Sequence, residues 1–390
     1  MLKVSYSDEL KKVEEDVKLK DKLHWRVASQ SGHRSPTSSV DGKDEECGRE
    51  WKKESEQSIE DLQKEIDKLQ LLEDGPPDLF IDSHCHLDFI YNWLVRESKP
   101  HPLPMFMSLS ELYETHFQSP IPSMLLGCIP NFIRPSLFVQ RPSPPPGVLL
   151  GKEDVYRIDW LLKIIQDEKV LGCTYGCHPH FAEQADDVFF QTMEQVVADR
   201  AKSRVVAIGE CGVDLSEKNT VPLEEQLRVF RRQVQLAVKS SLAIVVHCRG
   251  TRMIDPEDQV LSILKEECPV DHPIHRHCFR RGMHVAKKWL DALSGVHFGF
   301  TMSASCRSYD IRRTLREIPL ENILLETDAP YFKPVNVYKY ASKSNHMGAA
   351  VGVAQKIAFA KNISVLEVIE QTRKNTIRLY GLRLRTGVAK

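Results

Sequence analysis

From Phe80 to Tyr380 short apolar runs alternate with amphipathic helical stretches, and this regular alternation restricts the fold more than any other feature. The apolar runs are Leu79-Phe80-Ile81, Met124–Ile129, Gly172–Cys177, Val205–Glu210, Ala243–His247, Ile274–Phe279, Val296–Phe300 and Asn322–Asp328. Between them lie helical patterns over Tyr156–Gln166, Asp187–Ala201, Leu223–Lys239, Pro256–Glu267, Met283–Leu293 and Tyr309–Glu317, and Ala349–Lys361 and Val365–Tyr380 close the series. Strands separated by helices predict a parallel sheet with right-handed crossovers, and eight such units predict a closed (β/α)8 TIM barrel. An open doubly wound sheet is the alternative, but no glycine-rich GxGxxG loop follows any of the strands.

The remainder reads as additions to that barrel. Residues 1–77 form a charged N-terminal extension, with a polar segment over Ser29–Cys47 expected to be disordered and an amphipathic helix within Trp51–Leu72. Gly75-Pro76-Pro77 marks the boundary, so the barrel domain is expected over 78–385. Asp88–Ser119 is an insertion with a helix near Ser110–Phe117, and the proline-rich Pro130–Gly147 is a long surface loop. The ten cysteines form no CxxC pair, and several sit inside predicted strands or beside candidate ligands (Cys85, Cys211, Cys248, Cys278), which suits buried thiols of a reducing compartment. No run reaches the ~18 apolar residues of a membrane span, and no apolar signal core opens the chain, so nucleus or cytoplasm is the expected location. A net charge of −1 neither requires nor excludes nucleic acid, because a local basic rim can coexist with an acidic remainder.

The chemistry collects at the strand ends. His84 and His86 follow the first run at a spacing that points both imidazoles to one face. Glu210, His247, His277 and Asp328 end the fourth, fifth, sixth and eighth runs. In a barrel these positions share the C-terminal mouth, where such folds carry their chemistry. Four imidazoles and two carboxylates exceed what one catalytic ion needs and suit two divalent ions sharing a carboxylate. A natural division gives one ion His84, His86 and Asp328, the other His247 and His277, with Glu210 between. The mixed donors accept Zn²⁺, Mn²⁺, Co²⁺ or, with more water, Mg²⁺.

Asp82-Ser83-His84-Cys85-His86-Leu87, Gly176-Cys177-His178-Pro179-His180, Gly209-Glu210-Cys211-Gly212-Val213-Asp214, Val246-His247-Cys248-Arg249, His277-Cys278-Phe279 and Glu326-Thr327-Asp328-Ala329-Pro330-Tyr331 resemble the successive signatures of TatD-type metal-dependent deoxyribonucleases, in that family's order. The resemblance covers about Phe80 to Leu382. It implies a TIM barrel of the metal-dependent hydrolase type, a divalent-metal site and 3′→5′ exonuclease activity on DNA, with RNA a further substrate of some members. The chain departs from the pattern at Leu215, where the family usually carries an aromatic residue. It departs again at Arg280-Arg281-Gly282, bulkier and more basic than the usual Thr-Gly turn.

Phosphodiester hydrolysis is the expected reaction. Asp328 takes the proton of the attacking water as general base, and Glu210 fixes the spacing of the two ions. His178 and His180 contact phosphate, protonate the leaving oxygen, or simply build a proline-flanked turn. Arg249, Arg280 and Arg281 follow ligand-bearing strands and are candidate phosphate clamps on single-stranded DNA or RNA. Two other readings stay open: an amidohydrolase or phosphotriesterase acting on small molecules, and a non-catalytic nucleic-acid-binding module. Many amidohydrolases bridge their metals with a carbamylated lysine from the fourth strand, and here that strand offers Glu210 and no lysine.

Overall fold

A computed structural model describes residues 79–97, 108–139, 157–251, 253–304, 309–333 and 344–383. The N-terminal expectations, the Ser29–Cys47 segment and the Trp51–Leu72 helix among them, lie outside the described residues, as does the Pro130–Gly147 loop from residue 140 onward. The strands are β1 (Phe80–Cys85), β2 (Leu125–Phe132), β3 (Cys173–Tyr175), β4 (Val205–Asp214), β5 (Ala243–Arg249), β6 (Ile274–Arg276), β7 (Val296–Phe300) and β8 (Ile323–Leu325). They pair in sequence order, and every pair is parallel. The chain is therefore the eight-stranded barrel that the alternation predicts.

Closure between β8 and β1 rests on side chains as much as on backbone. One parallel bridge joins Cys85 to Ala329. The Ser83 hydroxyl donates to the Leu325 carbonyl at 2.7 Å. The buried Asp82 carboxyl meets the Thr327 N–H at 2.9 Å and the Thr327 hydroxyl at 2.6 Å. These contacts satisfy polar groups that a regular ladder would otherwise pair.

The helices are α1 (Leu87–Glu97), α2 (Leu109–Leu112), α3 (Pro135–Phe138), α4 (Arg157–Ile164), α5 (Asp187–Ala198), α6 (Arg200–Ser203), α7 (Leu223–Lys239), α8 (Glu257–Glu267), α9 (Met283–Ala292), α10 (Tyr309–Glu317), α11 (Ala350–Lys361) and α12 (Val365–Tyr380). α1 begins directly after the histidine pair, earlier than the sequence pattern suggests. α2 opens on a Ser108–Glu111 capping box and continues as a π-helical turn over Tyr113–Phe117. Pro130, read above as the start of a loop, lies inside β2, whose register against β1 is already irregular there.

Side chains divide between the barrel interior and the helix layer with period two. Ala243 and Val245 face inward and Ile244 and Val246 outward; on β8, Leu324 faces inward and Ile323 and Leu325 outward. An inner cluster of Ile81, Ile129, Ala207, Ala243, Val245 and Leu324 packs with Leu379, Tyr380 and Leu382 from the end of α12. Carried forward, the same parity turns His247 on β5, and Glu326 and Asp328 beyond β8, into the barrel. On β6 and just past it the parity sends His275 and His277 inward and Arg276 outward.

Arg276 illustrates the outer layer. It is 2% exposed, with its guanidinium 2.7 Å from Glu257 Oε1 at the start of α8. It donates further to the carbonyls of His277 and Cys248, each at 2.7 Å. Trp289 Nε1 on α9 donates to the other oxygen of Glu257 at 2.9 Å. Removing one member strands a buried charge, so Glu257→Ala should cost about 3–5 kcal/mol in a urea unfolding series.

His297 on β7 supplies a pH test. Its Nδ1 donates to the Gly295 carbonyl at 3.1 Å while Nε2 accepts from Arg378 at 3.3 Å, a neutral tautomer. Burial, with Arg378 alongside, lowers its pKa to about 4. The unfolded chain takes up the proton near 6.5, so this contribution is complete above pH 6.5 and is lost as pH falls toward 4. Over that window wild-type stability should fall by up to about 1.4 kcal/mol per pH unit more steeply than that of His297→Gln.

Candidate metal centre

The mouth of the barrel is organised by an irregularity in β4. Register to β5 runs Gly209↔Val245 and then Cys211↔Val246, leaving Glu210 as the extra residue of a bulge. Gly209 and Gly212 carry φ of 135° and 143°, in the region that favours glycine. A Cβ at Gly212 would lie 1.9 Å from the His247 carbonyl oxygen. The sequence reading ends this strand at Glu210; in the structure it continues to Asp214, because the bulge turns Glu210 inward without stopping the strand. A register shift between Asp82 and Cys85 does the same service in β1, so that His84 and His86 both point inward.

The two oxygens of Glu210 face different imidazoles. Oε2 lies 3.5 Å from His84 Nε2 and 3.7 Å from His86 Nε2. Oε1 lies 2.6 Å from His247 Nδ1, 3.6 Å from His277 Nε2 and 3.8 Å from His178 Nε2. Asp328 Oδ1 completes the group, at 3.0 Å from His86 Nε2, 3.6 Å from His84 Nε2 and 3.8 Å from His277 Nε2. Asp328 sits at φ 53°, a backbone region aspartate tolerates better than most residues. All six expected ligands therefore converge, and His178 joins them. The sets His84/His86/Glu210, His178/Glu210/His247 and His277/Cys278/Asp328 each bring their donor atoms within 4.8 Å of one another.

Hydrogen bonds on the far side of each ring assign its tautomer. His86 Nδ1 donates to the Asn131 carbonyl at 3.1 Å, which turns Nε2 to the site. His277 Nδ1 donates to Glu326 Oε2 at 3.1 Å, which likewise turns Nε2 to the site. His247 is reversed: Nε2 donates to Asp214 Oδ2 at 3.1 Å and Nδ1 faces inward. His178 differs in kind. Its Nδ1 accepts the His180 N–H at 3.2 Å, so its Nε2 carries the proton and is a hydrogen-bond donor. His84 Nδ1 has no partner among the described residues.

Burial pushes the His84 pKa down to about 4, helped by His277, whose ring stacks on it at 3.6 Å between centroids. Burial also opposes charge on His277, but the carboxylates of Glu326, Glu210 and Asp328 overrule it and raise its pKa to about 10. Four imidazoles and two carboxylates, largely buried, fit a divalent-cation site: imidazole and carboxylate are the ligands zinc, manganese and cobalt take, a cation displacing any proton from the inner nitrogens.

Three participants carry no role in the sequence reading. Glu326 is fully buried and accepts the Cys278 N–H at 2.6 Å as well as the His277 ring N–H. His275 Nε2 lies 2.8 Å from the same carboxylate. Asp214, 2% exposed, sits between His247 and His180, the latter at 3.3 Å. Glu326 and Asp214 are visible as motif letters, and their parity with the inward positions is the signal that points to them. Of the expected substrate contacts, His180 is half-buried beside Asp214, and Arg249 and Arg280 are exposed. Arg281 is paired with Asp255 at the surface.

A family model described as TatD related DNase matches residues 81–381. The chain is 34% identical over 312 residues to the human 3′-5′ RNA nuclease TATDN2, a match covering 80% of this chain and 36% of that protein. The chain thus spans about a third of that relative's length. It is 29% identical over 242 residues to the 3′-5′ ssDNA/RNA exonuclease TatD of Escherichia coli, covering 60% of this chain and 88% of that one. Among solved structures, a TatD homologue from Escherichia coli superposes with TM-score 0.57 at 22% identity, covering 78% of this chain and 98% of its own. A TatD family hydrolase from Entamoeba histolytica gives TM-score 0.57 at 20% identity over 77% and 98% of the two chains. These likenesses carry the fold.

Because Glu326 holds the His277 ring by its Nδ1–H, Glu326→Gln should weaken Mn²⁺ binding by 10- to 100-fold, on the order of other losses of groups that orient metal ligands. Titration calorimetry beside a thermal melt checks this.

Proposed function

The chain belongs to the TatD-related DNase family, and from that premise we propose that it hydrolyses phosphodiester bonds of single-stranded DNA or RNA as a metal-dependent 3′→5′ exonuclease. One observation carries the proposal: the Glu210 carboxylate separates two groups of imidazoles and presents one oxygen to each. That is the arrangement a bridging ligand needs between two divalent cations. The names of the relatives, nucleases on RNA and on single-stranded DNA or RNA, support the substrate class and polarity.

The first cation would take His84, His86 and Asp328, the second His247 and His277, with Glu210 shared. The hydrogen bonds favour His277 over His178 as the second nitrogen donor, since Glu326 takes the His277 Nδ1–H and leaves Nε2 to exchange its proton for a cation, whereas the His180 N–H on His178 Nδ1 keeps the proton on His178 Nε2. Zn²⁺, Mn²⁺, Co²⁺ and Mg²⁺ are all compatible with these donors. Bound divalent cations supply Lewis-acid polarisation of the phosphoryl oxygens and lower the pKa of water.

The protein groups do the rest. Asp328 accepts the proton of the attacking water, its Oδ1 standing among His84, His86 and His277. His178, neutral because burial holds its pKa well below the ordinary value, directs its Nε2–H at a phosphate oxygen. Arg249, exposed at the end of β5, and Arg280, exposed beyond β6, attract the phosphate backbone. Among the described residues no helix is long and apolar enough to cross a membrane. All eight described cysteines are free thiols, which supports the reducing milieu of nucleus or cytoplasm.

The test is cleavage of 3′-blocked and 3′-free end-labelled single strands of DNA and RNA, alongside a panel of amides and lactones, with and without EDTA. Chelator-sensitive shortening from the 3′ end is expected; chelator-insensitive cleavage, or turnover of amides alone, overturns the proposal. Glu210→Ala should bring turnover below detection while leaving the circular dichroism spectrum intact, and near-normal rates would remove its bridging role.

A further inference from the structure

Tyr331 is an anomaly of burial. Its neighbours Ala329 and Asp328 are buried, yet half of its own surface, 50%, is open beside the metal centre. Phe359, on α11, is the other exposed large aromatic residue among those described. The Tyr331 ring lies 6.1 Å from the His86 ring and 6.1 Å from the Phe89 ring, centroid to centroid, both in edge-type contact. Phe89 is itself overlaid by the Arg134 guanidinium at 4.8 Å, and Arg134 is held by Asp88 at 2.8 Å.

The backbone beneath the ring is pinned. The Tyr331 N–H donates to the Asp328 carbonyl at 2.9 Å. The fully buried Asn345 donates from Nδ2 to the Tyr331 carbonyl at 2.7 Å and to the Thr327 carbonyl at 3.1 Å. The turn that delivers Asp328 to the cations therefore also fixes Tyr331. Exposing half an aromatic ring on a rigid backbone sacrifices apolar burial, and in a single-strand binder such a ring is a surface for a base.

We infer that Tyr331, backed by Phe89 and Arg134, is the platform on which the terminal base of a single strand stacks while its phosphodiester lies at the metal centre. The inference rests on the nuclease reading above and adds to it the contact that holds the end of the strand. Every base has a π-face, so the platform binds without strong sequence preference.

The full-length protein is assayed on a single strand with an ordinary 3′-terminal nucleotide and on one whose 3′-terminal nucleotide is abasic. Tyr331→Ala should raise KM on the first strand about tenfold with kcat within about twofold, and Tyr331→Phe should retain the wild-type KM. On the abasic strand, wild type and Tyr331→Ala should converge. A strand ending in 2-aminopurine should lose fluorescence on binding wild type and Tyr331→Phe but not Tyr331→Ala. Equal weakening of both strands by Tyr331→Ala, or quenching that survives it, overturns the platform. Should wild type cut neither strand, the nuclease reading fails instead, and the quenching alone then decides the platform.

Discussion

A carboxylate buried among imidazoles sets the terms for the rest of this molecule. Glu210 is 2% exposed, and burial of that kind favours the protonated acid. The charge of His277 and the hydrogen bonds of His247 and His84 reverse the effect and hold its pKa well below the usual carboxylate range. The arrangement works only if the side chain enters the barrel at the height of those rings. A regular strand delivers every second residue inward at a fixed pitch. The bulge at Glu210, made possible by Gly209, breaks that pitch and gives up a ladder position to gain an aim.

The imidazoles are then specified by their far nitrogens. A free histidine presents either nitrogen and either tautomer, and a cluster of them would sample many donor patterns. Here Asn131, Glu326 and Asp214 each take one N–H, so Nε2 of His86 and His277 and Nδ1 of His247 already face the centre. His178 is held in the opposite sense by the His180 N–H, and the same loop that makes it a donor makes it unfit as a ligand through Nε2. Gln233 on α7 secures this loop by taking the Cys177 N–H at 2.7 Å and returning a hydrogen bond to the Cys177 carbonyl at 3.2 Å. Ligand and donor roles are thus divided before any cation or substrate arrives.

The sequence makes the barrel and the six principal donors legible for a plain reason. Apolar runs of period two identify strands, and a polar residue that ends such a run stands at the mouth whatever its partners are. Helices with strong periodicity, α7 and α12 among them, run over the residues their pattern indicates, Leu223–Lys239 and Val365–Tyr380. What the pattern hides is pairing between distant positions. Nothing near Arg281 announces that Asp255, 26 residues away, takes up its charge. Glu326 belongs to the same motif as Asp328, yet its role follows from His277, 49 residues earlier. The extension of β4 past Glu210 was hidden as well, because an acidic residue after an apolar run usually marks the end of a strand and only the flanking glycines hint at a bulge.

The floor of the barrel is joined to its mouth through polar groups that alternate with the apolar inner layer. Tyr380, the last residue of α12, packs with the inner apolar cluster and places its hydroxyl 2.7 Å from His275 Nδ1 and 3.3 Å from the Ser83 carbonyl. His275 faces Glu326, and Glu326 holds His277. Room for that pair exists because β7 carries Gly299, where a Cβ would come within 2.2 Å of Glu326 Oε2 and 2.4 Å of His275 Nε2. A buried polar column is stabilising only when each member is satisfied. The terminal helix therefore does more than cap the barrel: by supplying the Tyr380 hydroxyl it completes the chain of hydrogen bonds that orients a metal ligand at the opposite end. Seen this way, the motif letters at the mouth are the visible ends of a column whose foundation lies some 50 residues further along, in a helix that periodicity alone reads as packing.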